Sequence, residues 1–246
     1  MTLHVDRHDR VTVLTLDEPE RRNALTAGLV ADIVSAFDAL EADPDTGAVV
    51  ITGTAPAFCA GADLANLTAL ADTDREGNDP GAVREIYDGF LRVLDSPLPT
   101  VAAVNGPAVG AGFNLALACD VRIAGASARF DARFLTIGLH PGGGHTWLLE
   151  RAVGPQAAAA LVLFRERLDG QQAFERGLAW RCVPDDELLD ASIDYAARAT
   201  TAPAELVAAT KASLREAPWA ASFDDHLAVE LRRQVWSLRQ GWLDLG

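Results

Sequence analysis

Two glycine-containing turns carry the residue types best suited to chemistry on a bound small molecule. One runs from Ala57 to Leu64 and the other from Asn105 to Gly112, each after an apolar stretch. Small side chains let a ligand approach the backbone, and a turn that opens a helix leaves N–H groups unpaired at the positive end of the helix dipole. Two such donors aimed at one point would make an oxyanion hole, although either turn alone could simply reverse the chain.

The second turn also allows a different interpretation. Gly110-Ala111-Gly112 opens a predicted helix after a predicted strand, and Asp131 follows at about the distance expected of a dinucleotide-binding fingerprint. Leu115 stands where that fingerprint has its third glycine, however. A dinucleotide-dependent oxidoreductase is therefore the weaker alternative.

Other common chemistries find little support in the sequence. His140 and His145 are five positions apart, a spacing that does not place both on one face of a helix, and no cysteine pair accompanies them. We therefore expect no metal site. The chain contains neither a Gly-x-Ser-x-Gly nucleophile elbow nor a Gly-x-x-x-x-Gly-Lys-Ser/Thr phosphate loop.

Composition restricts the class of protein. The chain has 246 residues, 49% of them hydrophobic, which predicts one large globular domain or one domain with an appendage. Its formal net charge of −14 argues against a general nucleic-acid binder and against attachment to anionic lipid. The three cysteines are too few for a disulfide framework, and residues 1–10 are too polar for a secretory signal. We therefore expect a cytoplasmic protein with buried thiols.

The first elements that must position the turns form a strand–helix–strand unit. Val11 to Leu16 is rich in β-branched residues, and Ala48 to Thr52 is a short apolar run closed by a glycine. Between them, apolar residues recur at helical spacing from Leu29 to Leu40, with Thr26 as a suitable N-cap. This order predicts a parallel crossover and hence an α/β fold.

The pattern then repeats around the second turn. It predicts a helix over Val83 to Leu94, a strand over Val101 to Val104, a glycine-rich turn over Gly106 to Gly112 with a helix from Ala111 to Ala118, and a strand over Val121 to Ala124. The uncharged run from Ser96 to Cys119 is long enough to span a bilayer, but its prolines and asparagines favour a buried strand, turn and helix.

Helical periodicity dominates after Pro155, with a strand signal only at Trp180 to Val183. The last helix carries an apolar stripe at intervals of four and three residues: Phe223, Leu227, Leu231, Val235 and Leu238. Such a stripe must cover either the protein's own core or a neighbouring subunit, and the sequence leaves both open.

Five short motifs stand in a fixed order along the chain. They are Arg21 to Leu25, Phe58 to Leu64, Val104 to Gly112, Cys119 to Arg122 and Pro141 to Gly144. In order and spacing they resemble the motifs of the enoyl-CoA hydratase/isomerase (crotonase) family, from about residue 5 to at least residue 185. The resemblance is specific for fold and ligand class and much less so for the reaction.

This resemblance implies a crotonase-like spiral of repeated ββα units over residues 1–185, holding the acyl-CoA site. It implies a C-terminal helical segment over residues 186–246 that builds a homotrimer, often stacked as a hexamer. The ligand would be an acyl-CoA thioester, with coenzyme A as part of the substrate and no separate cofactor.

The family also implies roles for particular residues. The backbone N–H groups of Ala62 and Ala111 would form the oxyanion hole, which stabilises the enolate of the thioester. Coenzyme A would run past Ala60 and Leu64, and Arg22 would meet its phosphates or remain a solvated charge. Phe134 and Gly142 would border the substrate.

The sequence departs from the family at the two catalytic glutamates. The first falls on Asn114 and the second on Phe134. Asparagine exchanges no proton near neutral pH and phenylalanine has none to give, so ordinary two-carboxylate hydration is in doubt. Asn114 could still orient a water molecule or the acyl chain.

Two histidines could replace the missing acid and base. His140 precedes the Pro-Gly turn, and an imidazole is a side chain that can act as a base at neutral pH, although a structural role is also open. His145 falls in the first turn of the next helix, where positive charge is disfavoured, and a structural role is favoured there. We therefore expect a lyase or isomerase that acts through a thioester enolate, with a non-catalytic acyl-CoA binding protein as the alternative.

Overall fold

The computed structural model describes residues 2–63 and 80–243. The strands of these ranges are β1 (Leu3–His8), β2 (Val11–Leu16), β3 (Ala48–Gly53), β4 (Thr100–Val104), β5 (Pro107–Val109), β6 (Val121–Gly125), β7 (Arg129–Asp131), β8 (Arg167–Asp169) and β9 (Arg181–Val183). The α-helices are α1 (Ala27–Ala42), α2 (Pro80–Asp95), α3 (Ala111–Ala118), α4 (His145–Val162), α5 (Gly170–Glu175), α6 (Leu188–Ala197), α7 (Ala204–Glu216) and α8 (Phe223–Leu238).

The larger sheet has the strand order β1-β2-β3-β4-β6-β9. Only β1 is antiparallel to its neighbour, and the remaining pairs are parallel. The parallel crossover predicted from β2 through α1 to β3 is thus confirmed. Thr26 caps α1 as expected, because its side chain accepts a hydrogen bond from the Leu29 N–H.

Both faces of this sheet are buried, which explains why its central strands are mostly apolar. Val49 and Ile51 pack into the main core beneath α1, α2 and α3. Ala48 and Val50 point the other way, into a smaller core that α6 covers with Leu188. Side chains alternate between faces along a strand, so a sheet covered on both sides needs apolar residues at every position.

A second, three-stranded sheet has the order β5-β7-β8. The sequence predicted only a turn where β5 lies, and no strand was predicted at β1, β7 or β8. β5 and β8 are three residues each, too short for any periodicity to show. β1 is an edge strand on which every residue but the first is exposed, so it lacks the apolar alternation of a half-buried strand.

The remaining predicted helices are found, with α2 starting before Val83. The apolar stripe of α8 is exposed along its whole length, so the chain's own core does not cover it. None of the helices in residues 2–63 and 80–243 is long and apolar enough to span a membrane.

All three cysteines are free thiols. Cys59 and Cys119 are fully buried, and burial raises the pKa of each to about 12. Cys182 is half-buried. The expectation of buried, apolar thiols therefore holds for Cys59 and Cys119.

Candidate active site

The two glycine turns lie side by side. The backbone N–H of Cys59 donates to the Pro107 carbonyl over 3.1 Å, and the Val109 N–H donates to the Cys59 carbonyl over 3.0 Å. On its other side the first turn is held by Leu25, whose N–H donates to the Gly61 carbonyl over 2.8 Å. The first turn is therefore fixed between the residues before α1 and the strand that leads into α3.

Gly61 sets how closely the turns approach. Its φ is +97°, a conformation that favours glycine. A Cβ on Gly61 would lie 2.5 Å from the Val109 carbonyl oxygen and 3.3 Å from the Ala111 nitrogen. The peptide that leads into Ala62 thus packs directly against the first peptide of α3.

The two amides implied as oxyanion donors are free to act as such. Within residues 2–63 and 80–243, the N–H groups of Ala62 and Ala111 donate to no protein acceptor. Ala111 is the first residue of α3, so its N–H points along the positive end of the helix dipole. Ala62 directly follows Gly61, which contacts the start of α3, and the role of the two amides as oxyanion donors stays a prediction.

One helical turn beyond Ala111, a polar side chain is buried in the core. Asn114 is 1% exposed, its Nδ2 donates to the Gly142 carbonyl over 3.0 Å, and its Oδ1 lies 2.7 Å from Nδ1 of His145. A carbonyl only accepts, so the amide nitrogen must be the atom that faces Gly142. Oδ1 also only accepts, so Nδ1 of His145 carries the proton and donates.

This hydrogen bond leaves Nε2 of His145 as a bare lone pair. Nε2 is buried and has no partner among the described residues. The ring contacts Phe113 and Phe134, with centroids 5.3 and 5.0 Å away. Burial lowers the pKa of His145 to about 4, so the ring is neutral at physiological pH.

The Pro141 to Gly144 turn closes over this histidine. A Cβ on Gly143 would lie 2.5 Å from the Phe90 ring and 2.9 Å from the Asn114 Nδ2. The Gly143 N–H hydrogen-bonds to the Tyr87 hydroxyl, and burial raises the pKa of that tyrosine. Gly142, predicted to border the substrate, is half-buried and faces the same hydroxyl.

Other predicted residues lie nearer the surface. His140 is exposed, and its Nδ1 donates to the Pro141 carbonyl over 2.8 Å. Arg22 is exposed, and its carbonyl accepts the Ala60 N–H over 2.9 Å, which ties this cation to the first turn. Leu64 lies outside the described residues.

The features that suggested a dinucleotide have other partners. A Cβ on Gly112 would lie 2.8 Å from Cβ of Cys59, so this glycine is needed where the two turns touch. Asp131 pairs with Arg167 over 2.9 Å and with Arg133 over 3.4 Å. These contacts account for both residues without a dinucleotide.

The pairing of Asn114 with His145 is the main feature that sequence reasoning missed. No periodicity links residues that are 31 positions apart. The available signal was that Asn114 is the one polar residue of an otherwise apolar, fully buried helix. Such a side chain requires a buried hydrogen-bonding partner.

Comparison with known proteins shows the family of this chain. The sequence profile described as "Enoyl-CoA hydratase/isomerase" matches residues 6–234. The chain belongs to this family. The fold is accordingly crotonase-like, as the resemblance implied, and the ligand class is an acyl-CoA thioester.

Relatives in the family bear different reaction names. The "Probable enoyl-CoA hydratase EchA14" of Mycobacterium tuberculosis is 50% identical over 90% of this chain and 84% of its own length. The "2,3-dehydroadipyl-CoA hydratase" of Escherichia coli is 39% identical over 87% of this chain and 82% of its own. A monofunctional enoyl CoA isomerase from M. smegmatis superposes with a TM-score of 0.78 at 30% identity, and the match covers 92% of this chain and 98% of the isomerase.

Proposed function

We propose that this protein is a cytoplasmic enzyme that converts an acyl-CoA thioester through an enolate. The observation that supports the proposal is the contact between Gly61 and the start of α3, because Ala62 and Ala111, whose N–H groups donate to no acceptor in the described residues, adjoin this contact. A thioester oxygen gains negative charge when the enolate forms, and two fixed donors stabilise that charge without reorganising.

The same geometry supports a ligand whose carbonyl enters between the turns. Loss of one oxyanion donor costs about 2.7–4 kcal/mol of transition-state stabilisation in enzymes of this kind. Arg22, on the rim of the first turn, would meet a coenzyme A phosphate, and Ala60 would lie along the pantetheine. A net charge of −14 gives the phosphates no general attraction, so local cations such as Arg22 must supply it.

Two-carboxylate hydration is not the reaction we propose. The amide of Asn114 is committed to Gly142 and His145, and Phe134 is an apolar ring packed on that histidine. Neither side chain transfers a proton. The activity we propose is therefore an isomerase or lyase reaction of the enolate rather than ordinary addition of water to an enoyl-CoA.

We also propose a homotrimer, alone or stacked as a hexamer. The exposed apolar stripe of α8 supports this assembly, since a run of large apolar side chains in water favours association.

The test combines binding, exchange and hydration. We expect the protein to bind cinnamoyl-CoA with a red shift of its absorption, because the N–H groups polarise the carbonyl. We expect it to exchange α-hydrogens of butanoyl-, octanoyl- or phenylacetyl-CoA in deuterated water. Binding without any exchange would replace the enzyme by a non-catalytic acyl-CoA binding protein. Hydration of crotonyl-CoA at the median enzyme turnover of about 10 s⁻¹ would contradict the proposal.

A further inference from the structure

One buried polar atom of the candidate site has no partner. In residues 2–63 and 80–243, the buried side-chain atoms without a hydrogen bond are Thr12 Oγ1, His145 Nε2 and Arg215 Nη2. Of these, only His145 is hydrogen-bonded to a residue of the helix that begins at Ala111. A buried acceptor without a donor costs about 1–3 kcal/mol, which a ligand or a catalytic role would explain.

We propose that His145, held by Asn114, is the catalytic base of this enzyme. The proposal rests on the proposed enolate chemistry and supplies the proton acceptor that the two absent glutamates leave open. His145 acts through Nε2, and Asn114 is a positioning residue that fixes the tautomer.

The step is a proton transfer between carbon and nitrogen. The bond from the α-carbon to its hydrogen breaks, and the proton forms a new bond to Nε2. The electron pair of the broken bond becomes the enolate double bond, while the carbonyl π pair moves to the oxygen between the Ala62 and Ala111 N–H groups. Return of the proton from Nε2, to the same carbon or to a conjugated one, regenerates the neutral ring.

Hydrogen bonds and ring contacts connect His145 to the helix that begins at Ala111. The Asn114 N–H donates to the Gly110 carbonyl over 3.0 Å, so Asn114 stands one turn into the helix that Ala111 begins. From Asn114 Oδ1 the step to His145 Nδ1 is 2.7 Å. The Phe134 ring lies between the start of this helix and His145. Its Cζ would be 4.0 Å from a Cβ on Gly110, and its centroid is 5.0 Å from the centroid of the His145 ring.

The surroundings keep His145 in its basic form. The elements packed on it present Phe113 and Asn114 from α3 and Phe134 from the loop before α4, none of which is charged. Tyr87, also neutral at physiological pH, faces the adjoining turn. The lone pair is therefore free at neutral pH, and the enolate that forms on deprotonation supplies the negative charge that stabilises the imidazolium.

Asn114 determines which nitrogen is available. With its amide nitrogen held by Gly142, its oxygen accepts only from Nδ1–H. The alternative tautomer would face Oδ1 with a lone pair and bury an N–H without an acceptor. Asn114 thus keeps Nε2 unprotonated, as a hydrogen-bond acceptor beside a catalytic histidine does.

The experiment measures deuterium exchange at the α-carbon of butanoyl-, octanoyl- and phenylacetyl-CoA by the wild type, by His145→Gln and by His8→Gln. His8 is an exposed histidine of β1, so its variant is the matched control. We expect His145→Gln to lose about 10²-fold or more in exchange rate while it keeps the cinnamoyl-CoA red shift, and His8→Gln to match the wild type.

Two outcomes separate this proposal from the proposed function. Exchange by His145→Gln within about fivefold of the wild type, with the red shift intact, overturns the role of His145 and leaves the enolate function standing. Absence of exchange by the wild type on all three esters removes the enolate function and the base together.

A second variant decides the matter if His145→Gln also loses the red shift. Asn114→Asp places a carboxylate against Nδ1, which raises the pKa of His145. We expect the acid limb of the exchange rate against pH to move to higher pH in this variant. An unchanged pH profile overturns the proposal, because a merely structural histidine would not move it.

Discussion

The amide nitrogen of Ala111 lies 3.3 Å from the position that a Cβ on Gly61 would occupy. The two turns, fifty residues apart in the chain, thus form one wall of the candidate site. The contact exists because Gly61 has no side chain and adopts a positive φ. Any side chain there must separate the two amides.

Gly61→Ala therefore tests the oxyanion hole. We expect kcat/KM for the substrate to fall about 10²–10³-fold, because the Ala62 N–H moves away from that of Ala111. The matched control is Gly177→Ala, at a glycine that also has a positive φ but no neighbour within 4 Å of a Cβ. Both variants bear the backbone strain, so an equal loss of activity in the two would contradict the role of the Gly61 contact.

The buried histidine predicts a pH dependence of stability. Burial lowers the pKa of His145 from 6.5 to about 4, so between these values the unfolded chain binds a proton that the native protein does not. The free energy of unfolding should fall as pH drops through this window, by up to about 3 kcal/mol from this group. Urea unfolding at pH 7 and pH 5 should show a smaller fall for His145→Gln than for the wild type. Equal falls would contradict a neutral native histidine, and His8→Gln serves as control.

A buried ion pair joins α7 to the sheet. Lys211 is 7% exposed, and its Nζ lies 2.6 Å from both the Asp120 carboxylate and the Leu98 carbonyl. Asp120 is more exposed and also accepts from the N–H and hydroxyl of Thr100.

Substitution of Asp120 and substitution of Lys211 should therefore lower the free energy of unfolding by different amounts. Asp120→Ala leaves a buried ammonium group unpaired and should destabilise the fold by about 3–5 kcal/mol. Lys211→Met fills the same buried space with an apolar side chain, and Asp120 keeps its hydrogen bonds from Thr100. We therefore expect a smaller loss of stability. Urea midpoints at pH 7 measure both, and a larger loss for Lys211→Met would show that this account is wrong.

The stripe on α8 predicts the effect of a charge on assembly. Leu231 lies in the middle of the stripe and is exposed in the single chain. Leu231→Glu should shift the protein from trimer to monomer in sedimentation velocity, because burial of an unpaired carboxylate opposes association. Arg232→Glu introduces the same side chain at a neighbouring exposed position outside the stripe and should leave the assembly unchanged. A wild type that sediments as a monomer would remove the proposed trimer itself.

The sequence predicted the long, regular elements well because their signal is local. The crossover from β2 to β3, the Thr26 cap and the last helix each follow from residue spacing within one segment. The short strands β5, β7 and β8 escaped prediction because three residues carry no periodicity, and their pairing forms only in the folded chain. The candidate residues Ala62 and Ala111 could be named from motifs, whereas their roles stay predictions for the experiments above.

The amino-acid sequence by itself determined the family and the class of ligand, because these depend on which residues stand in which order. The tertiary structure alone decided that Gly61 packs on α3 and that Asn114 holds His145 with a free Nε2. The physical reason is that hydrogen bonds between distant segments, and the burial that makes an unpaired atom costly, arise only when the chain is folded.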